Sequence, residues 1–157
     1  MTDDIRDQLR RDHETVLAEL DALRAGGDEQ ACLSGLRRLR RTWVIHALAE
    51  ETVVYRALEG VEAANDSRSS RADERFVEHE LVEGLFEKLS RSRPGTIEWH
   101  ARINVAGELI RRHIETEYQD TFSALGERFE QEQLDEIGRR FLLARDKLTM
   151  LEEAKAA

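Results

Sequence analysis

His13, His46, His79 and His113 recur 33 or 34 residues apart, each inside a stretch with helical periodicity, and the last three are followed four residues later by Glu50, Glu83 and Glu117. Residues four apart on a helix share a face, with β-carbons about 5 to 6 Å apart, so each pair can offer a nitrogen and a carboxylate oxygen to one centre. Four inward imidazoles with two or three carboxylates are enough to hold a pair of irons. Imidazole suits iron, and carboxylate supplies the harder oxygen donor. A single histidine in a helix is more often a surface or hydrogen-bonded residue, so the reading rests on the conjunction of four. His100 lies off the pattern beside Trp99 and reads as structural or exposed.

The elements that must position these residues follow from apolar spacing. Ile5, Leu9, Val16, Leu17, Leu20 and Leu23 predict a helix over about residues 3–25, which Gly26-Gly27 ends. Asp28 can cap a second helix over about 29–63, with Leu33, Leu36, Leu39, Trp43, Val44, Leu48, Val54 and Leu58 on its apolar face. The polar stretch Asn65–Ser70 reads as a loop. Phe76, Leu81, Val82, Leu85, Phe86 and Leu89 mark a third helix over about 71–92. After the Pro94-Gly95 turn, Thr96 can cap a fourth helix over about 97–125, carried by Ile97, Ile103, Val105, Leu109, Ile110, Ile114, Phe122 and Leu125. Leu134, Ile137, Phe141, Leu142, Leu148 and Leu151 mark a fifth, outer helix.

Short turns after the first and third helices favour antiparallel neighbours. The expected fold is therefore all-α, an up-down-up-down four-helix bundle over about residues 3–126 with an additional C-terminal helix over about 131–154. Residues 1–157 form a single domain with one histidine per bundle helix. The axial bookkeeping leaves a mismatch of roughly 13 Å between the segment after His46 and the segment before His79, at 1.5 Å per residue. The polar loop or an earlier helix start must absorb it.

With 157 residues, 36% of them charged, and a formal net charge of −9, the chain lacks the basic footprint that nucleic acid or anionic membrane requires. The run Arg37-Arg38-Leu39-Arg40-Arg41 reads as a solvated helix face, since no aromatics are interleaved with it. No apolar run approaches the roughly 20 residues of a membrane span, and no basic-then-apolar leader opens the chain. The lone Cys32 cannot form an intrachain disulfide, so a cytoplasmic location is expected. A ferritin-type Glu-x-x-His pair is absent, and His79-Glu80-Leu81-Val82-Glu83 lacks the second histidine of a zincin.

Asp12-His13-Glu14, His46-Ala47-Leu48-Ala49-Glu50-Glu51, Glu78-His79-Glu80-Leu81 and His113-Ile114-Glu115-Thr116-Glu117, in this order and spacing, resemble the hemerythrin-like family of HHE cation-binding domains. The resemblance covers nearly the whole chain, including the outer segment Glu132–Phe141. It implies two iron ions joined by an oxo or hydroxo bridge, with His13, His46, His79 and His113 as terminal ligands and Glu50 and Glu117 bridging. Room would remain for dioxygen, hydrogen peroxide or nitric oxide.

The chain departs from the oxygen-carrying members, which have a histidine where Glu83 stands and a histidine-aspartate pair spaced by five where His113 and Glu117 are spaced by four. A more open and more anionic site favours peroxide or oxygen chemistry over reversible carriage, with Glu83 either a further ligand or a solvated residue. Tyr55 and Tyr118 each follow a bridging glutamate. Either could donate a hydrogen bond to a bound oxygen species or simply pack, and Tyr55 is the stronger catalytic candidate. Glu14, Glu51 and Glu80 point to other helix faces and read as supporting or exposed. The expected function is oxygen-species handling, foremost hydrogen peroxide disproportionation of a catalase-like or peroxidase-like kind. The alternative is binding or sensing of oxygen, nitric oxide or iron without turnover. Small molecules are the expected partners, with the chain a monomer or homodimer.

Overall fold

The computed structural model describes residues 3–64 and 71–156. Every element among them is helical: α1 (Ile5–Ala25), α2 (Glu29–Glu50), α3 (Arg56–Ala64), α4 (Arg71–Ser90), α5 (Ile97–Thr116), α6 (Phe122–Arg128) and α7 (Gln131–Ala156). Wide π-helical turns, Glu51–Tyr55 and Glu117–Thr121, join α2 to α3 and α5 to α6, so each pair forms one continuous rod. The predicted second and fourth helices are these rods, each with an unpredicted change of winding. The expected polar loop at 65–70, and with it the means of closing the axial mismatch, lies outside the described residues.

The helix ends follow local chemistry. Asp28 accepts from the Ala31 amide at 2.7 Å, and Thr96 accepts from the Trp99 amide at 3.2 Å, as N-caps. Gly26 and Gly95, with φ of 81° and 79°, take the left-handed conformations that turn the chain after α1 and before α5. α1 packs against α2 and α5, and α4 packs against the same two, which closes a four-helix ring. α7 lies outside it across α1 and α2.

Asp4 opens α1 and ties it to the outer helix. Its carboxylate accepts from the Arg6 amide at 2.8 Å and from the Gln131 side chain at 3.0 Å. The hydrogen bond from the Arg6 guanidinium is the main cause that holds Asp4 down at about 2. A carboxyl whose pKa is depressed on folding adds stability above its unfolded value of 3.8, and that stability is lost as pH falls through 2. Asp4→Ala is expected to cost about 1 kcal/mol at neutral pH. Its denaturant midpoint should converge on wild type in acid, and a constant gap across the titration would refute the assignment.

Two apolar cores occupy the two ends of the bundle. Leu20, Leu36, Leu39, Trp43, Phe86, Trp99 and Ile110 anchor one, while Ile5, Leu9, Val54, Tyr55, Leu125, Ile137 and Phe141 anchor the other. Between them lies a layer of buried polar side chains: His13, His46, Glu50, His79, His113 and Glu117, none more than 4% exposed. Several residues assigned to apolar faces by spacing prove exposed, among them Leu48, Leu81, Val105, Leu151 and above all Ile97 at 91%. Periodicity identifies a stripe, but its edges fall beyond the contacts of the neighbouring helices.

Candidate metal centre

Each wall of the bundle sends one imidazole into the polar layer, and the two Glu residues lie at its middle. His46 with Glu50, and His113 with Glu117, share a helix face as their four-residue spacing requires, with His–Glu separations of 3.7 and 3.6 Å. The Glu50 carboxylate also stands 3.5 Å from His79 Nε2 and 3.7 Å from His113 Nε2. His13 Nε2 lies 2.9 Å from Glu117 Oε2, and His79 Nε2 lies 3.3 Å from His113 Nε2. One ligand atom from each of His46, Glu50, His113 and Glu117 falls within 4.8 Å of all the others. His13 and His79 complete the ring of donors around that group.

Burial makes this arrangement costly without a cation. His13 Nε2, His46 Nε2, Glu50 Oε1 and both Glu117 oxygens are buried with no hydrogen-bond partner, even though His13 Nε2 approaches Glu117 Oε2 to 2.9 Å. A buried polar atom left unpaired costs about 1–3 kcal/mol, so a group of them facing one another is an uncommon feature in a stable core. Lone pairs converging on shared space are what a metal ion satisfies, and the nitrogen-and-oxygen donor set fits iron. The residues present therefore fit the metal that the resemblance implies.

The protonation states carry the same strain. Burial pushes Glu117 well above the usual carboxyl range, and the adjacent Glu50 charge adds to it. Burial also opposes the Glu50 charge, but the Glu117 carboxyl and the His113 and His79 imidazoles outweigh it and hold Glu50 well below that range. Burial drives His13 down to about 4. For His79, burial is outweighed by Glu50 and Glu51, which hold its pKa up at about 9. Without a cation, then, one of two central carboxylates keeps its proton and the imidazoles divide unevenly.

The outward nitrogens of two of the rings have hydrogen-bond partners that no spacing rule identified, whereas His13 Nδ1 and His46 Nδ1 are buried without one. His79 Nδ1 meets Glu51 at 2.7 Å and His113 Nδ1 meets Glu78 at 3.0 Å. Asp12 sits 3.6 Å from His46 Nδ1 while bonding to Arg145 of α7 at 2.5 Å. Such carboxylates fix the ring orientation and raise the basicity of a ligating histidine. Arg75, buried one turn before His79, brings positive charge toward Glu117 and Tyr55 and pairs with Asp120 at 3.7 Å. The acids directly before two of the histidines, Asp12-His13 and Glu78-His79, were the visible signal, although each supports a histidine of a different helix.

Tyr55 reaches the centre, and its hydroxyl donates to Glu50 Oε2 at 2.8 Å. At 3.6 residues per turn, positions five apart point about 140° away from each other. The wider π turn that starts at Glu51 rotates less per residue, which brings Tyr55 back over Glu50. Tyr118 is 42% exposed, with its ring 5.4 Å from that of His13, and packs against Phe122. Glu83 is not brought to the cluster. It is half exposed and pairs with Arg40 at 3.2 Å, because the α2 guanidinium offers it a solvated partner that the buried layer does not. His100 is exposed, as expected.

The hemerythrin HHE cation-binding domain family matches residues 4–125. The DNA nickase of Nostoc sp. (strain PCC 7120 / SAG 25.82 / UTEX 2576) is 23% identical over 144 residues, which is 92% of this chain and 40% of that protein. The chain thus spans about two fifths of the length of this curated relative. No solved structure matches it. Over its four bundle helices and the histidine-glutamate layer that they enclose, the chain belongs to the hemerythrin family of HHE cation-binding domains.

Proposed function

We propose that the polar layer holds two iron ions and that the protein handles oxygen species, with disproportionation of hydrogen peroxide as its reaction. The observation that carries the metal reading is the set of buried donor atoms without partners on His13, His46, Glu50 and Glu117. His13, His46, His79, His113, Glu50 and Glu117 would hold the ions. Iron, when bound, would supply the electron transfer that these imidazoles and carboxylates cannot perform.

The chain's own part is orientation, exclusion of water and control of protons. The apolar cores above and below keep the layer dry. Glu51 and Glu78 lock the rings of His79 and His113. Tyr55, with its pKa pushed well above 10 by burial and by the Glu50 and Glu117 charges, keeps its proton on the phenol and presents it at Glu50 Oε2. That places a neutral hydrogen-bond donor beside the place where an oxygen species would be handled.

Iron per chain and the visible spectrum, taken before and after hydrogen peroxide is added, test this directly. Two irons, oxo-bridge charge-transfer bands and oxygen evolution are expected. Tyr55→Phe should retain its iron and lose oxygen evolution by about 100- to 10,000-fold, the range for a positioned proton donor. Unchanged turnover in that variant would remove Tyr55 from the reaction, and no iron after anaerobic reconstitution would overturn the metal reading.

Binding or sensing of oxygen, nitric oxide or iron is the second reading, and one observation favours it. In the Nostoc DNA nickase the matched stretch is 40% of a longer protein, a share that leaves room there for an output module. Nicking itself gains no support here. The net charge is −9, and in the Arg37–Arg41 run two of the four arginines are engaged by carboxylates, Arg40 by Glu83 and Arg41 by Glu153, while nucleic-acid phosphates call for a larger basic footprint. Rapid spectral change with nitric oxide or dioxygen, without peroxide turnover, would select this reading.

A further inference from the structure

We infer that a cavity between α2 and α4, on the His79 side of the centre, is the port through which the small molecule arrives, and that it admits neutral molecules in preference to anions. The inference rests on the metal reading above and adds to it a location and a substrate class. The cavity holds about 200 Å³. That volume accommodates several molecules the size of water, whose share of liquid volume is about 30 Å³.

At its inner end the cavity meets His79, which is 4% exposed and whose Nε2 lies 3.3 Å from His113 Nε2 and 3.5 Å from Glu50 Oε2. A molecule that reaches this ring is therefore already beside the donor cluster. Two larger clefts, of about 500 and 370 Å³, touch none of the four imidazoles. Successive turns of α2 build one wall from Trp43 with Ala47 and Val44 with Leu48, an apolar surface that suits uncharged molecules.

The outer side is acidic, with Glu51, Glu80 and Glu83 all lining the cavity. Glu83 explains why the space exists. It stands one helical turn beyond His79 on the same face of α4, where a side chain turned inward would fill the cavity, but Arg40 holds it at the rim. Glu51 is engaged with His79, and Glu80 is exposed, so the rim keeps net negative charge despite Arg40. An approaching anion meets this field inside a protein of net charge −9, whereas dioxygen, nitric oxide and hydrogen peroxide do not respond to it.

Binding rates of azide and of nitric oxide to the iron-loaded full chain test the port. Ala47→Leu, which thickens the apolar wall, should slow both by about tenfold while iron per chain and the resting spectrum stay unchanged. The double variant Glu80→Gln with Glu83→Gln lies on the solvated rim and should raise the azide rate about threefold with nitric oxide unaffected. Retained iron with unaltered rates in both variants would overturn the inference and leave the metal reading intact. A chain without iron would overturn the metal reading, and the port would then be judged on Trp43 emission in a Trp99→Phe background. Acrylamide should quench Trp43 more than iodide does, Ala47→Leu should weaken the acrylamide effect, and the double variant should strengthen the iodide effect. Quenching indifferent to all three substitutions would overturn the port.

Discussion

Glu50→Ala is expected to abolish iron retention and to destabilise the fold as well. Glu50 is fully buried, within 3.5 to 3.7 Å of three imidazoles, and accepts the Tyr55 hydroxyl at 2.8 Å. As a central donor its loss should cost more than the roughly 10- to 100-fold in affinity that follows removal of a mere hydrogen-bonding partner of a ligand. Stability should fall through two routes. His79, and with it His113, is held toward the charged form largely by Glu50, and a buried charge that loses its partner costs about 3–5 kcal/mol. The holo form also loses the linkage contribution, about 2.7 kcal/mol at a free metal concentration 100 times the dissociation constant. Glu50→Gln separates the routes, since it keeps the packing and the Tyr55 contact but not the charge. Metal analysis and denaturant unfolding of both variants, with and without iron, provide the check. Full iron retention in Glu50→Ala would place the metal elsewhere.

Four of the six residues of the polar layer were legible as pairs because their geometry is local, while His13 and His79 were read only from the recurrence of one histidine in each predicted helix. A spacing of four on a helix fixes a shared face whatever the tertiary structure, and His46-Glu50 and His113-Glu117 required nothing more. Glu83 shows where that reasoning stops, since it has the same spacing from His79 yet pairs with Arg40, a partner from another helix 43 residues earlier. The supporting acids are of the same kind. Asp12 follows His46 in space but precedes His13 in sequence, and Glu78 precedes His79 but bonds to His113, so each pairing depends on how two helices cross. Tyr55 was found for the right neighbourhood without its cause, because a π turn leaves no signature in apolar spacing. The apolar stripe overreached at Ile97 and Val105, which are exposed among the described residues.

Gly138→Ala tests the outer helix, which lies beyond the residues that the family matches. A β-carbon at Gly138 would stand 1.6 Å from the Asp3 carbonyl oxygen, 2.8 Å from its carbon and 3.0 Å from the Ile5 nitrogen. These are backbone atoms at the start of α1, and no side-chain rotation relieves the overlap. Either α7 or the beginning of α1 must shift, and both routes cost packing: Leu134, Ile137 and Phe141 are buried in the core that Ile5 and Leu9 anchor, and the Asp4–Gln131 bond spans the same junction. Overpacking of this severity is expected to cost about 3 kcal/mol. For a chain of this size that corresponds to a fall in Tm of roughly 6–12 °C. Gly84→Ala is the matched control. Nothing lies within 4 Å of its added carbon, and α4 should gain about 0.5–1 kcal/mol from the change. The displacement should also reach the centre, because α7 carries the Arg145 that fixes Asp12 beside His46. Iron affinity is expected to weaken in Gly138→Ala and in Arg145→Ala alike, and to be untouched in Gly84→Ala. Equal Tm values for the two glycine variants would show that α7 does not dock at the start of α1.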